Sequence, residues 1–174
     1  MAMVTQGDLE FVPVTSDAHI AAVVALAQVI WPDHYTPIIG ADQVAYMLAT
    51  YHSRNAIADE IRHQGYRFFL AREQARDRGY FSVHPREDSL FLSKIYFLRA
   101  ERGRGLGRRA LAFIRDQAVQ LGLDRIQLTV NKNNTGSIAA YERIGFQKTN
   151  SVVADIGNGY VMDDYVMAWE IGAP

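Results

Sequence analysis

The 174-residue chain contains no cysteine, no excess of either charge and no long hydrophobic run. Without cysteine it can form no disulfide, no thiolate nucleophile and no cysteine-ligated zinc site. Its 18 Lys and Arg residues balance 19 Asp and Glu residues, so we do not expect nucleic acid as a partner. The longest apolar stretch, residues 20–31, contains Gln28 and is too short to cross a bilayer, so we expect no membrane partner.

The beginning of the chain lacks a basic stretch followed by an apolar core, which indicates no signal peptide and predicts a cytoplasmic protein. Hydrophobic residues make up 49% and charged residues 21% of the chain, which are ordinary values for a globular domain. No repeat or low-complexity linker interrupts it, so we predict one domain over residues 1–174. The histidines show neither a His-Glu-x-x-His spacing nor a close pair, so we expect no metal site.

Helical and strand periodicities alternate along the chain. Trp31-Pro32 is expected to end the first helix, because a residue before proline disfavours helical backbone. Helices are predicted over residues 17–30, 41–52, 55–64, 105–121 and 137–144. Strands are predicted over residues 11–14, 66–72, 80–84, 89–98, 124–130, 146–155 and 160–170, with turns at 76–79, 85–88 and 156–159.

The order of these elements defines a fold class. Three consecutive strands joined by tight turns, within residues 66–98, indicate an antiparallel meander. The strand, helix and strand that follow form a crossover, which normally makes a parallel pair. We therefore predict an α/β domain with a mixed, mostly antiparallel sheet flanked by helices.

The most informative segment is the run Arg-Gly-Arg-Gly-Leu-Gly-Arg-Arg at residues 102–109, between a predicted strand and a predicted helix. Glycines let a backbone approach a ligand closely, and a helix N-terminus adds partial positive charge. Both features are typical of a pyrophosphate site. The run lacks the third glycine of the dinucleotide fingerprint and the Gly-Lys-Ser/Thr ending of the nucleoside-triphosphate loop. Taken alone, the run can also be interpreted as a flexible basic turn.

A second motif follows the strand predicted at 124–130. Together the two motifs resemble those of the GNAT superfamily of acetyltransferases, in which an Arg/Gln-x-x-Gly-x-Gly loop precedes Asn-x-x-Ala/Ser and Tyr-x-x-x-Gly-Phe. The resemblance covers residues 79–171 and departs at Arg99, where the family usually has proline, and at the serine of the second motif, where alanine is commonest. The matching residues are Arg102, Gly105, Gly107, Asn134, Ser137, Tyr141, Gly145 and Phe146.

The resemblance implies a GNAT-like fold whose central parallel strand pair splays to hold CoA, here after Val130. It also implies acetyl-CoA as co-substrate, with its pyrophosphate over the glycine-rich loop and its pantetheine arm beside the backbone of residues 96–98. Asn134 would contact CoA, and Tyr141 would lie by the thioester sulfur. The residues implied in CoA binding are Tyr96, Phe97, Leu98, Arg102, Gly103, Arg104, Gly105, Leu106, Gly107, Arg108, Asn134, Ser137 and Tyr141.

The chemistry needs a neutral amine, since an ammonium group has no lone pair to attack the thioester carbonyl. Tyr141 is the candidate catalytic acid, because a phenol near the sulfur can protonate the leaving thiolate. The group that removes the proton from the amine stays open among His84, Glu87, Asp88, His34 and water.

The acceptor stays open as well. The resemblance implies a primary amine on a small molecule, for example one like a polyamine, or on a protein. His34 and Tyr35 are expected in a loop that helps form the acceptor site. Lys94 or Tyr96 can face the acceptor from the long strand. The acidic residues Glu87, Asp88, Asp163 and Asp164 could attract a cationic amine.

A CoA-binding sensor or regulatory module without turnover is the alternative function. Tyr141 favours the enzyme, because a protein that only binds CoA needs no acid for a leaving group. Many relatives pair through sheet edges, so a homodimer is also expected.

Overall fold

The computed structural model of the protein describes residues 8–172. Within this range the strands form one seven-stranded sheet with helices on both faces. The strands are β1 (Leu9–Pro13), β2 (Arg67–Glu73), β3 (Arg76–Pro85), β4 (Leu90–Phe97), β5 (Arg125–Asn131), β6 (Gln147–Gly157) and β7 (Tyr160–Glu170). The α-helices are α1 (Asp17–Ile39), α2 (Ala41–Tyr51), α3 (Arg54–His63), α4 (Leu106–Gln120) and α5 (Thr135–Ile144).

The strand order is β1-β2-β3-β4-β5-β7-β6, and β4 with β5 is the parallel pair in an otherwise antiparallel sheet. The predicted fold class is therefore confirmed. The parallel pairing is limited to two residue pairs, Leu90 with Ile126 and Phe91 with Gln127. The strands thus diverge earlier than the expected point after Val130. Ser93 has no partner in the β3–β4 register, and such a bulge bends a strand away from its neighbour.

Two apolar layers cover the sheet. On one face, α1, α2 and α3 bury residues such as Val23 and Ile57 against β2 and β3. On the other face, α4 buries Ala110 and Ile114 against β4 and β5. Burial of such side chains stabilises a domain by roughly 25 cal/mol per Å² of apolar surface. The two layers cover both faces of the sheet, so helices flank the gap between β4 and β5 on either side.

Helix α1 continues past Trp31-Pro32 to Ile39, so the prediction that it ends at residue 30 was wrong. Pro32 lacks the N–H that would bond the Gln28 carbonyl, but both residues are exposed and water can take that carbonyl. Trp31 and Tyr35 are buried, and their packing holds the extra turns in place. Tyr35 therefore faces the interior from a helix rather than from the predicted loop. No helix within residues 8–172 has the length and hydropathy that a membrane span needs.

The turn predicted at residues 76–79 was also wrong, because these residues begin β3. The chain turns instead at Gln74 and Ala75, whose φ angles are 51° and 60°. Neither residue type is typical of a left-handed turn. Gly79 serves a different purpose, since a Cβ there would overlap the Tyr96 carbonyl oxygen on β4. This glycine reports a close approach of two strands and not a turn.

The β6–β7 hairpin turns at Asn158 and Gly159, as the sequence predicts, with φ angles of 54° and 77°. The hydroxyls of Tyr46 and Tyr51 on α2 both donate to the Ile156 carbonyl near its tip, at 2.6 and 2.8 Å. The other helices and strands lie where the periodicity predicts them, apart from their end residues. These contacts join the β6–β7 hairpin to α2, on the face of the sheet that α1 also covers.

Candidate active site

A cleft with a volume of about 820 Å³ lies where β4 and β5 diverge. The glycine-rich loop and the start of α4 line one end. Side chains from α1, α2, α3 and β7 line the other end. The structure brings together in this cleft most of the residues predicted to bind CoA, namely Tyr96, Phe97, Arg102, Gly103, Gly105, Leu106, Gly107, Arg108, Asn134, Ser137 and Tyr141.

The glycine-rich loop has the geometry of an anion site. Gly103 and Gly105 have φ angles of 77° and 78°, which L side chains rarely adopt. No atom lies within 4 Å of the position that a Cβ would take at either residue, so open space adjoins the loop. Helix α4 begins at Leu106 without a side-chain cap, which leaves its first N–H groups free to bind an anion.

Two of the residues predicted to bind CoA are engaged elsewhere and do not line the cleft. The Arg104 Nη2 atom donates to both carboxylate oxygens of Glu73, at 3.1 and 3.0 Å, and Nη1 donates to Glu101. The Leu98 N–H donates to the Arg78 carbonyl at 3.0 Å. Of the arginines in the glycine-rich run, Arg102 and Arg108 line the cleft and can meet an anion there; Arg143 of α5 lines it as well.

Tyr141 projects into the cleft from α5. Its ring centroid lies 5.5 Å from that of Phe146, in the apolar layer beneath α4 and α5. Burial raises the pKa of the Tyr141 phenol well above its usual range, and the neighbouring Tyr35 adds to this shift. The hydroxyl therefore keeps its proton at neutral pH and has one to donate. Asn134 is buried at the N-cap position of α5, where the β5–α5 connection ends, and its side chain makes no capping hydrogen bond.

An aromatic cluster lines the cleft. The rings of Trp31 and Tyr35 stack with centroids 4.2 Å apart, and Tyr96 lies edge-on to Trp31 at 5.5 Å. Burial raises the pKa of Tyr35 to about 12 and that of Tyr96 well above its usual range, so both phenols are neutral. His52, 4.5 Å from Trp31, has its pKa lowered to about 3 by burial and by the charge of Lys94. The sequence analysis did not identify Trp31 or His52 as site residues, because each lies at the predicted end of a helix and belongs to no motif.

The far end of the cleft carries charged side chains. Lys94 is buried on β4, and its Nζ donates to both oxygens of Glu60 on α3, at 3.1 and 2.9 Å. Lys94 therefore reaches the cleft, but its charge is already paired. On β7, Asp164 lies opposite Asn131 of β5 and is buried with its Oδ1 atom lacking a hydrogen-bond partner.

The residues proposed as bases occupy different places. His84 packs on Tyr66 with ring centroids 4.6 Å apart, outside the cleft. Glu87 and Asp88 are exposed in the β3–β4 turn and do not line it either. Of these residues and His34, His34 alone lines the cleft. Burial and the neighbouring Arg102 lower its pKa, whereas Asn134 and Asp33 act in the opposite direction.

Comparison with known proteins identifies the family. The model of the acetyltransferase (GNAT) family matches residues 23–146, and the chain belongs to that family, as its two motifs predict. A stretch of 78 residues is 37% identical to mycothiol acetyltransferase of Salinispora tropica, covering 41% of this chain and 24% of that protein. The chain thus spans about a quarter of the length of this relative.

Solved structures match over nearly the whole chain. The PaiA N-acetyltransferase of Thermoplasma acidophilum, solved in complex with coenzyme A, superposes with a TM-score of 0.79 at 16% identity, covering 94% of this chain and 99% of that one. A GCN5-related N-acetyltransferase of Rhodopseudomonas palustris gives a TM-score of 0.77 at 14% identity, covering 98% and 99%. At these identities the likeness shows the fold, and the fold is that of the GNAT enzymes.

Proposed function

We propose that the protein transfers an acetyl group from acetyl-CoA to a primary amine by direct attack in a ternary complex. The observation that carries the proposal is the gap between β4 and β5, which opens beside an uncapped helix start and contains a protonated phenol. A sensor that only binds CoA would need the gap and the helix start, but it would not need Tyr141.

The cleft offers a place for each part of acetyl-CoA. The pyrophosphate binds to the N–H groups of the loop and the α4 start, with Arg102 and Arg108 beside it. From Leu92 to Phe97 the edge of β4 that faces β5 has no strand partner. The pantetheine amides can pair with this edge as an added strand, which directs the thioester toward Tyr141.

The reaction then follows from the charges that develop. A neutral amine attacks the thioester carbonyl carbon, and the carbonyl oxygen becomes an oxyanion that an N–H of the unpaired β4 edge stabilises. As the intermediate collapses, the carbon–sulfur bond breaks and the thiolate takes the proton of the Tyr141 hydroxyl. A tyrosine phenol keeps its proton at neutral pH even without the rise in pKa that burial causes, so the Tyr141 proton is available to the thiolate.

Tyr141→Phe tests the proposal, because it removes the hydroxyl and keeps the ring. General acid catalysis is typically worth roughly 10²- to 10⁴-fold, so kcat falls by that factor while acetyl-CoA affinity and Tm hardly change. Tyr165→Phe is the matched control, since Tyr165 packs in the same apolar layer but does not line the cleft. A kcat of Tyr141→Phe within about twofold of wild type, with chemistry rate-limiting, excludes the acid role. Acetyl-CoA binding without CoA release on any amine would support the sensor instead.

A further inference from the structure

Asp164 occupies an unusual position for a charged side chain. It is 8% exposed, it lines the cleft, and its Oδ1 atom has no hydrogen-bond partner among the described residues. Buried carboxylate oxygens are normally paired, because losing the solvation of water without a replacement is costly. Asp164 lines the cleft and forms no ion pair among the described residues, so a ligand bound there can supply the positive partner that its carboxylate lacks.

The charged groups around Asp164 do not neutralise its carboxylate. Lys132, which follows β5, lies 2.7 Å from Asp163, and this neighbouring carboxylate is 53% exposed. Tyr35 of α1 interacts electrostatically with Asp164, and burial raises its pKa to about 12, so its phenol is neutral. Burial first and Asp163 second raise the pKa of Asp164 to about 6, and Lys132 acts weakly in the opposite direction. The cleft therefore contains a carboxylate whose positive partner has to arrive with the ligand.

We propose that Asp164 binds the ammonium group of the acceptor and takes a proton from it, which makes the acceptor a cationic primary amine. This assignment rests on the proposed acetyl transfer. Tyr35 is near enough to both Asp164 and Tyr141 to interact electrostatically with each of them. Asp164, Tyr35 and Tyr141 all line the same cleft, so an amine bound at Asp164 shares it with the thioester proposed to lie by Tyr141.

The protons balance in this scheme. The ammonium gives one proton to Asp164, and the neutral amine nitrogen then forms a bond to the thioester carbonyl carbon. The carbon–sulfur bond breaks, and the thiolate takes the Tyr141 proton to become a thiol. The nitrogen, now part of an amide, gives its second proton to the Tyr141 phenolate. Asp164 releases its proton to solvent when the products leave, so one proton is produced in each turnover.

The test compares Asp164→Asn with Asp163→Asn on a cationic amine, such as spermidine or phenethylamine, and on trifluoroethylamine, which is largely neutral at neutral pH. Asp164→Asn lowers kcat/KM for the cationic amine by roughly 10²-fold, the usual size of a proton-transfer contribution. It leaves kcat/KM for the neutral amine within a few-fold of wild type. Asp163→Asn keeps the activity on the cationic amine at high pH, and Tm does not fall in Asp164→Asn because a buried charge is removed.

The pH profile separates Asp164 from His34, the other titratable candidate in the cleft. In wild type kcat/KM rises with pH through a midpoint near 6, and this limb disappears in Asp164→Asn but persists in His34→Gln. A limb lost in His34→Gln instead, or equal losses on both amines in Asp164→Asn, would overturn the assignment. Wild-type protein that acetylates neither amine, nor any in a wider panel, would count against the proposed function itself and not against Asp164 alone.

Discussion

The guanidinium of Arg104 holds the buried carboxylate of Glu73 by both oxygens, at 3.1 and 3.0 Å from one nitrogen. Its other terminal nitrogen bonds Glu101, which also accepts from Arg78 at 2.8 Å. Both carboxylates are buried, so the two arginines neutralise charges that would otherwise be costly. This network ties the loop before α4 to β2 and β3, and of its members Glu101 lines the cleft while Arg104, Arg78 and Glu73 do not.

Arg104→Ala is expected to lower stability, whereas Arg108→Ala is expected to lower acetyl-CoA affinity. Arg104→Ala leaves two buried carboxylates with Arg78 as their shared partner, so Tm falls while acetyl-CoA affinity changes less. Arg108→Ala removes a charge beside the proposed pyrophosphate site, so acetyl-CoA affinity falls and Tm does not. Scanning calorimetry and isothermal titration calorimetry measure the two effects. Arg109→Ala, which removes an exposed charge outside the cleft lining, serves as control for both.

Gly105 allows the charge of the loop to be tested separately from its shape. Asn and Asp are similar in size, and both tolerate the left-handed backbone that this residue adopts at φ 78°. Gly105→Asp places a negative charge where phosphate is proposed to bind, and acetyl-CoA affinity should fall by tenfold or more relative to Gly105→Asn, equivalent to about 1.4 kcal/mol. Equal affinities in titration calorimetry would move the pyrophosphate away from this loop.

Most residues that the sequence predicts to bind the co-substrate lie together in the cleft, because the signals that predict them are local. Gly103, Gly105 and the start of α4 are adjacent in the chain, and spacing alone indicates what such a loop can bind. The acceptor end is assembled from α1, α3 and β7, which are far apart in sequence. Asp164 pairs across the sheet with Asn131 and interacts electrostatically with Tyr35, and no window of the sequence contains all three.

The predictions at Pro32 and Gly79 were wrong for a similar reason, because each depends on surroundings that the local sequence does not show. Proline usually ends a helix, but at the exposed position of Pro32 water replaces the lost hydrogen bond while Trp31 and Tyr35 hold the helix. Glycine usually marks a turn, but Gly79 lies within a strand because β4 approaches it closely. Both outcomes depend on what surrounds the residue in the folded protein.

His52 should make the protein sensitive to acid. Its ring is buried, with the Tyr80 hydroxyl 3.4 Å from Nδ1, and its pKa is lowered from 6.5 to about 3 by burial and Lys94. At pH values between these two pKa values, His52 is protonated in the unfolded chain but not in the native protein. The free energy of unfolding therefore falls as pH decreases, by up to about 1.4 kcal/mol per pH unit. Above pH 6.5 this contribution is constant.

Urea unfolding of wild type and His52→Gln across this window measures the effect. The variant loses packing at every pH, but its free energy of unfolding should fall less steeply with acid than that of wild type. His63→Gln, at an exposed position of α3, should keep the wild-type slope. Parallel curves for wild type and His52→Gln would mean that His52 is protonated in the folded protein.

The short pairing of β4 with β5 affects how the stability of the protein depends on bound co-substrate. Two residue pairs join one half of the sheet to the other, and the proposed pantetheine arm takes the place of the hydrogen bonds that are missing beyond them. Ligand that binds only the native state at a hundredfold excess over its Kd adds about 2.7 kcal/mol to the free energy of unfolding. Each product release removes that contribution until another molecule binds. The supply of co-substrate would then set how long a molecule of this protein survives, as well as how fast it works.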